Sequence, residues 1–173
     1  MRNIDRLKSL ARFIEDAYVK TNVPAMGFNM KSLARDDVPD TSNPHYCGTV
    51  ACLGGWHLYR QYRICTEAQF SAFCAGFAAH NDRDAGGRSL WRGLIMPYFG
   101  DPEDFDDLSR LFHLDGMSYS STNATGKQAV AVLRHYADSG IVDWGRFDHE
   151  GKDLTEAAAL PTAKEPEAEP ATK

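Results

Sequence analysis

A cationic excess is the first thing this chain lacks. Lys and Arg number 19 against 24 Asp and Glu, a formal net charge of −5. Gripping a nucleic-acid backbone takes cations that displace counterions, so direct nucleic-acid binding is not expected and a basic partner suits the surface better. A local basic patch stays open, from Arg60, Arg63, Arg83, Arg88 and Arg92. Long apolar runs are missing too. None approaches the roughly 20 residues that a membrane-spanning helix needs. The opening Met1-Arg2-Asn3-Ile4-Asp5 starts an amphipathic pattern rather than an export signal. Cysteine is scarce, with four in 173 residues. Without an export signal these read as reduced thiols of a cytoplasmic protein. No internal repeat and no complete catalytic constellation is present, and no cofactor is expected.

What is there is helical periodicity. Ile4, Leu7, Leu10, Ala11, Ile14, Ala17 and Tyr18 trace one apolar stripe over residues 3–20, with Arg6, Lys8, Arg12, Glu15 and Asp16 off it. Asn22-Val23-Pro24 stops it. Phe28 and Met30 alternate with polar residues and read as a short extended piece. Thr66 with Gln69 is a capping-box pattern opening a helix through Phe70, Phe73 and Phe77, on which Cys65 and Cys74 read as packed thiols. Residues 80–88 are a polar loop. Ser89 caps a short helix expected to end at Pro97. Asp101-Pro102-Glu103 starts another, with Phe105, Leu108, Leu111 and Phe112 as its buried face. The acids Asp101, Glu103, Asp104, Asp106 and Asp107 spread over the exposed side of that helix. Thr125 with Gln128 reads as a second capping box, and Gly140 as the residue that ends its helix. Ala124-Thr125-Gly126-Lys127-Gln128 fails as a phosphate loop: Ser121 stands where the first glycine is needed, and Gln128 where Ser or Thr is. Ile141, Val142, Trp144 and Phe147 read as a final apolar strand or extended segment.

The compositionally odd stretch is Tyr46-Cys47-Gly48-Thr49-Val50-Ala51-Cys52-Leu53-Gly54-Gly55-Trp56-His57. Val50, Leu53, Trp56 and Tyr59 follow at helical spacing, which places a helix start near Cys47 or Gly48. Gly48, Ala51, Cys52 and Gly55 then share a small-residue face suited to close approach of another helix. A second reading makes Cys47 a nucleophile. A helix N-terminus favours the thiolate, and His80, His113, His135 and His149 lie downstream as bases. Apolar neighbours would bury the thiol and oppose that effect. A third reading draws zinc ligands from His45, Cys47, Cys52 and His57. Their H-x-C-x4-C-x4-H spacing is not that of a usual structural knuckle.

The cluster resembles the central motif of a group of small proteins of phages and bacteria, which carry Cys-Gly-Thr-x-x-Cys followed by a small-residue and aromatic stretch. Phe28-Asn29-Met30, Leu108-Ser109-Arg110-Leu111-Phe112, and Gln128-Ala129-Val130 leading to Gly140-Ile141-Val142-Asp143-Trp144 fit the same pattern. The resemblance spans residues 4–147 through scattered anchors. It implies a phage or mobile-element origin and one compact domain, and it brings no activity with it.

The sequence therefore predicts a mainly α fold: one compact domain of five or six helices over residues 1–150, with a minor extended segment. Residues 151–173, rich in Pro, Ala and Glu, are expected to be a disordered acidic tail. The expected function is that of a phage-type accessory protein, in the host cytoplasm, that binds and inhibits a host protein without catalysis. The alternatives are a cysteine-dependent hydrolase or transferase using Cys47, and a small-ligand or nucleotide-binding protein. The last would use the cluster helix N-terminus as its anion site, with Arg83, Arg88 and Arg92 beside it.

Overall fold

The computed structural model describes residues 1–22, 24, 26–28, 34–36, 49–80, 91–112 and 124–155. Of residues 34–36, 49–51, 67, 74, 77–80, 91 and 92 it describes the backbone alone. The described residues are mostly helical, with six α-helices. The predicted mainly α domain is what forms.

The first helix, α1 (Ile4–Ile14), starts where Asn3 accepts from the backbone N–H of Arg6 at 3.1 Å. Its stripe of Leu7, Leu10, Ala11 and Ile14 is fully buried. A wider π-helical turn, Glu15–Val19, finishes it. Three short strands follow: β1 (Gly27–Phe28), β2 (Ala34–Asp36) and β3 (Thr49–Ala51). β3 lies between the other two, parallel to β1 (Gly27 opposite Val50) and antiparallel to β2 (Arg35 opposite Val50). The extended piece expected at Phe28 is β1.

This sheet corrects the expected start of the cluster helix. Helix α2 is Leu53–Tyr62, with Cys52 in extended conformation at its N-cap. β-Branched Thr49 and Val50 favour extended backbone, and pairing on both sides satisfies their peptide groups. With Ala51 in a strand, no helical face joins Gly48 to Gly55. Gly54 and Gly55 are buried in the first turn of α2.

Helix α3 (Glu67–His80) carries the predicted capping box. Gln69 N–H donates to Thr66 Oγ1 at 3.2 Å, and the Gln69 side-chain Oε1 accepts from Cys65 N at 2.9 Å and Thr66 N at 3.1 Å. A π-helical turn, Trp91–Ile95, leads into α4 (Met96–Phe99). Pro97 was expected to end this helix, but it sits in the first turn of α4. There an amide proton has no intrahelical partner to lose, and the helix runs on to Phe99. A 3₁₀ turn, Pro102–Asp104, precedes α5 (Phe105–Phe112), which buries Leu108, Leu111 and Phe112 as predicted.

The last helix, α6 (Gly126–Ser139), packs along α1 through Ala129, Val130, Val132, Leu133, Tyr136 and Ala137. It starts at Thr125, whose hydroxyl oxygen accepts from Gln128 N–H at 3.2 Å. The Gln128 side chain does not close the expected capping box. It turns inward and donates to the carbonyls of Trp144 (3.0 Å) and Phe147 (2.8 Å). A side chain at Gly126 would strike the Tyr18 ring, 2.4 Å from the position of its Cβ.

The final apolar segment is a 3₁₀ turn, Trp144–Arg146, rather than a strand. Trp144 is buried and its indole donates to Arg110 O at 3.2 Å, whereas Ile141 is 60% exposed. Order continues past the expected boundary at residue 150. Phe147 pairs with Asp153, and Arg146 holds the Asp153 carboxylate at 2.6 Å. Residues 156–173 of the expected tail lie outside the described residues.

Two helix ends share a left-handed backbone and different residues. Gly140 ends α6 at φ +79°, and Arg63 ends α2 at φ 58°. A Cβ costs about 1–2 kcal/mol in this region. Gly140→Ala should therefore lower stability by about 1–2 kcal/mol, even if the Arg2 guanidinium, 2.2 Å from the new Cβ, swings aside. Arg63→Gly should raise stability by about 0.5–1 kcal/mol. Urea denaturation of the two variants checks both signs.

Candidate functional site

Of the site residues singled out from sequence, only Cys52 and His57 have described side chains. His45 and Cys47 lie outside the described residues, as do Arg83 and Arg88. Arg92 falls in the π-helical turn before α4, with only its backbone described. Cys52 and His57 are described and both are buried, each 2% exposed. The helix-start argument for Cys47 does not hold, because α2 begins at Leu53. The residue at that helix start is Cys52. Among the described residues, no three of His, Cys, Asp and Glu come together as a metal site would require.

Cys52 is held as a protonated thiol. Burial pushes its pKa up to about 11, against the opposing pull of the Gly55 and Gly54 amides at the helix start. Desolvation outweighs the dipole here. A thiol at that value is a poor nucleophile near neutrality.

His57 sits one turn into α2 with its ring packed between two aromatics of α4. Tyr98 is 4.6 Å away between ring centroids, and Phe99 is 4.9 Å away. Burial first, then the positive charges of Arg60 and Arg6, lower its pKa to about 4. The imidazole is neutral at neutral pH, and its buried Nδ1 has no hydrogen-bond partner among the described residues.

Around His57 two helices supply cations. Arg60, one turn further along α2, donates from Nη2 to Ser9 Oγ at 2.8 Å. Its buried Nη1 has no partner among the described residues. Arg6, one turn before Ser9 on α1, donates to the Tyr98 carbonyl at 2.9 Å, and its guanidinium lies 4.2 Å over the Tyr98 ring. Gln61 donates to Tyr98 Oη at 3.0 Å. Sequence reading named His57 and Arg60 but missed Arg6, Ser9 and Tyr98. Arg6 looked like one of the solvated charges beside the apolar stripe of α1. Only the packing of α1 against α2 and α4 brings it to His57.

The pKa of His57 has a consequence for stability. An unfolded chain protonates this residue near pH 6.5 and the folded chain only near 4. As pH falls, the unfolded state takes up the proton first. The contribution is complete above about pH 6.5 and is lost as pH falls towards 4. Between pH 7 and pH 5 the loss is on the order of 2 kcal/mol. His57→Phe, which keeps a ring against Tyr98 and Phe99, should remove this part of the acid slope in denaturation measured from pH 7 to pH 5. Parallel slopes in the two proteins would refute the assignment to His57. No family model, no curated protein and no solved structure matches the chain, so the arrangement around His57 stands on its own geometry.

Proposed function

We propose that the chain is a phage-type accessory protein that binds and inhibits a host protein without catalysing a reaction, and that α3 is its docking helix. The observation that carries this reading is the composition and exposure of α3. Between Glu67 and His80 at its ends, the helix has no charged residue. One side is anchored, with Phe70 buried and Phe73 half-buried, 4.9 Å from Tyr62 between ring centroids. The other side presents Ala68, Ser71, Ala72, Ala75 and Gly76, all exposed. A Cβ added at Gly76 would meet nothing within 4 Å.

A surface helix normally turns charged or polar residues to water. A face of Ala and Gly lets a partner's backbone approach closely and excludes water at little side-chain entropy cost. The net charge of −5 favours a partner with a basic rim. The phage-type origin draws its support from the Cys47-Gly48-Thr49-Val50-Ala51-Cys52 motif. The non-catalytic reading draws support from Cys52, which burial holds as a protonated thiol. No helix among the described residues is long and apolar enough to cross a membrane, so the apolar face of α3 is not part of a spanning helix.

Ala72→Glu and Ala75→Glu place a charge in the centre of this face without touching the core. Each variant should melt within a few degrees of the parent. Each should lose capture of the host protein from a lysate by more than about tenfold, the cost of desolvating an unpaired charge in an interface. Undiminished capture by folded variants would place the interface elsewhere. A parent chain that retains no host protein would overturn the reading itself.

A further inference from the structure

Among the described residues, the cluster around His57 is short of acceptors. Its donors are the guanidinium groups of Arg6 and Arg60, the hydroxyls of Ser9 and Tyr98, and the imidazole. Ser9 Oγ, the Tyr98 carbonyl and Tyr98 Oη accept within it, and each is already taken by one donor. None carries charge. Among the described residues, no carboxylate pairs with Arg6 or Arg60. Among the described residues, two buried atoms on residues one helical turn apart, His57 Nδ1 and Arg60 Nη1, are left unsatisfied. Burying a hydrogen-bonding atom without a partner is destabilising, and two on residues of neighbouring turns point to a group that supplies the missing partners.

We propose that this cluster binds a phosphate group. Arg6 and Arg60 supply the charge, the Ser9 hydroxyl donates, and His57 donates from Nδ1 as a neutral imidazole. Phosphate fits better than carboxylate on two counts. Its charge of about −1.5 to −2 matches two guanidinium groups, and its several oxygens meet donors arriving from two helices. A carboxylate would leave one guanidinium uncompensated. Guanidinium forks suit phosphate oxygens geometrically. The site lies between α1, α2 and α4, so it is separate from the exposed face of α3 and does not depend on the docking proposal.

The test uses the full chain in a phosphate-free buffer and inorganic phosphate as the probe, with chloride at matched ionic strength as the control. Phosphate should raise the melting temperature saturably, because a ligand that binds only the folded state stabilises it. The apparent affinity should fall at least about tenfold in Arg60→Gln and in Arg6→Gln. Arg60→Lys keeps the charge but loses the fork, and should rescue only in part. In the parent, phosphate should also shift the imidazole NMR resonances of His57 and raise its pKa, since a nearby anion favours the imidazolium. This second readout holds even if an arginine variant fails to fold. Adenosine monophosphate separates the two sources. Binding tighter than inorganic phosphate by about tenfold assigns the site to a nucleotide phosphoryl group, and equal or weaker binding assigns it to the free ion. No saturable effect beyond chloride, equal stabilisation of the double variant Arg6→Gln/Arg60→Gln, or unmoved His57 resonances would each overturn the proposal, leaving water as the occupant.

Discussion

Burial of one stripe of α1 is the constraint on which the rest of this fold depends. Leu7, Leu10, Ala11 and Ile14 are all fully buried. Fully burying a Leu or Ile side chain contributes about 1.5–3 kcal/mol, and α1 alone cannot do it. The partners come from distant parts of the chain. α6 packs most extensively against α1, and α2 and α4 also touch it. The N-terminal helix is thus the surface on which the chain's later elements assemble, and Gly126 allows the start of α6 to meet Tyr18 at the far end of that surface.

Trp56 is the second fixed point. It is fully buried, and its ring meets Phe13, Tyr18 and Tyr59 at centroid distances of 6.2, 5.8 and 5.8 Å. Its indole N–H donates to Gly27 O at 3.1 Å. One side chain therefore links α1, β1 and α2, and its polar edge is satisfied by the small sheet, as a buried indole requires. His57, its neighbour in sequence, faces α4. Consecutive residues of α2 thus do different work: Trp56 closes an apolar core, and His57 forms part of a polar cluster.

That cluster explains why two arginines tolerate their neighbours. Arg6 and Arg60 both act on His57 and both lower its pKa. Arg6 is exposed and stays hydrated, whereas the half-buried Arg60 guanidinium carries a desolvation cost. Stacking of Arg60 on Phe13 at 5.8 Å recovers part of that cost through cation–π contact, and Arg6 stacks on Tyr98 at 4.2 Å.

Much of the fold was legible in the sequence because helices write their burial into a local period. The stripe of α1, the Thr66–Gln69 capping box, the buried face of α5 and the glycine ending α6 each depend on residues a few positions apart. The sequence also determined that the odd Cys/Gly/Trp stretch would be central, since Trp56 and Leu53 are core. It misjudged Thr49-Val50-Ala51 as helix because strand pairing is not local: Val50 pairs with Gly27 on one side and Arg35 on the other. The candidate site was legible only in half. His57 and Arg60 share a helix and a period. Arg6, Ser9 and Tyr98 come from two other elements, and no sequence pattern records how α1 packs on α2 and α4. Gln128 gives the same lesson in a single side chain. Its spacing from Thr125 suits a capping box, yet the carbonyls of Trp144 and Phe147, brought near only by the folded chain, claim its amide instead.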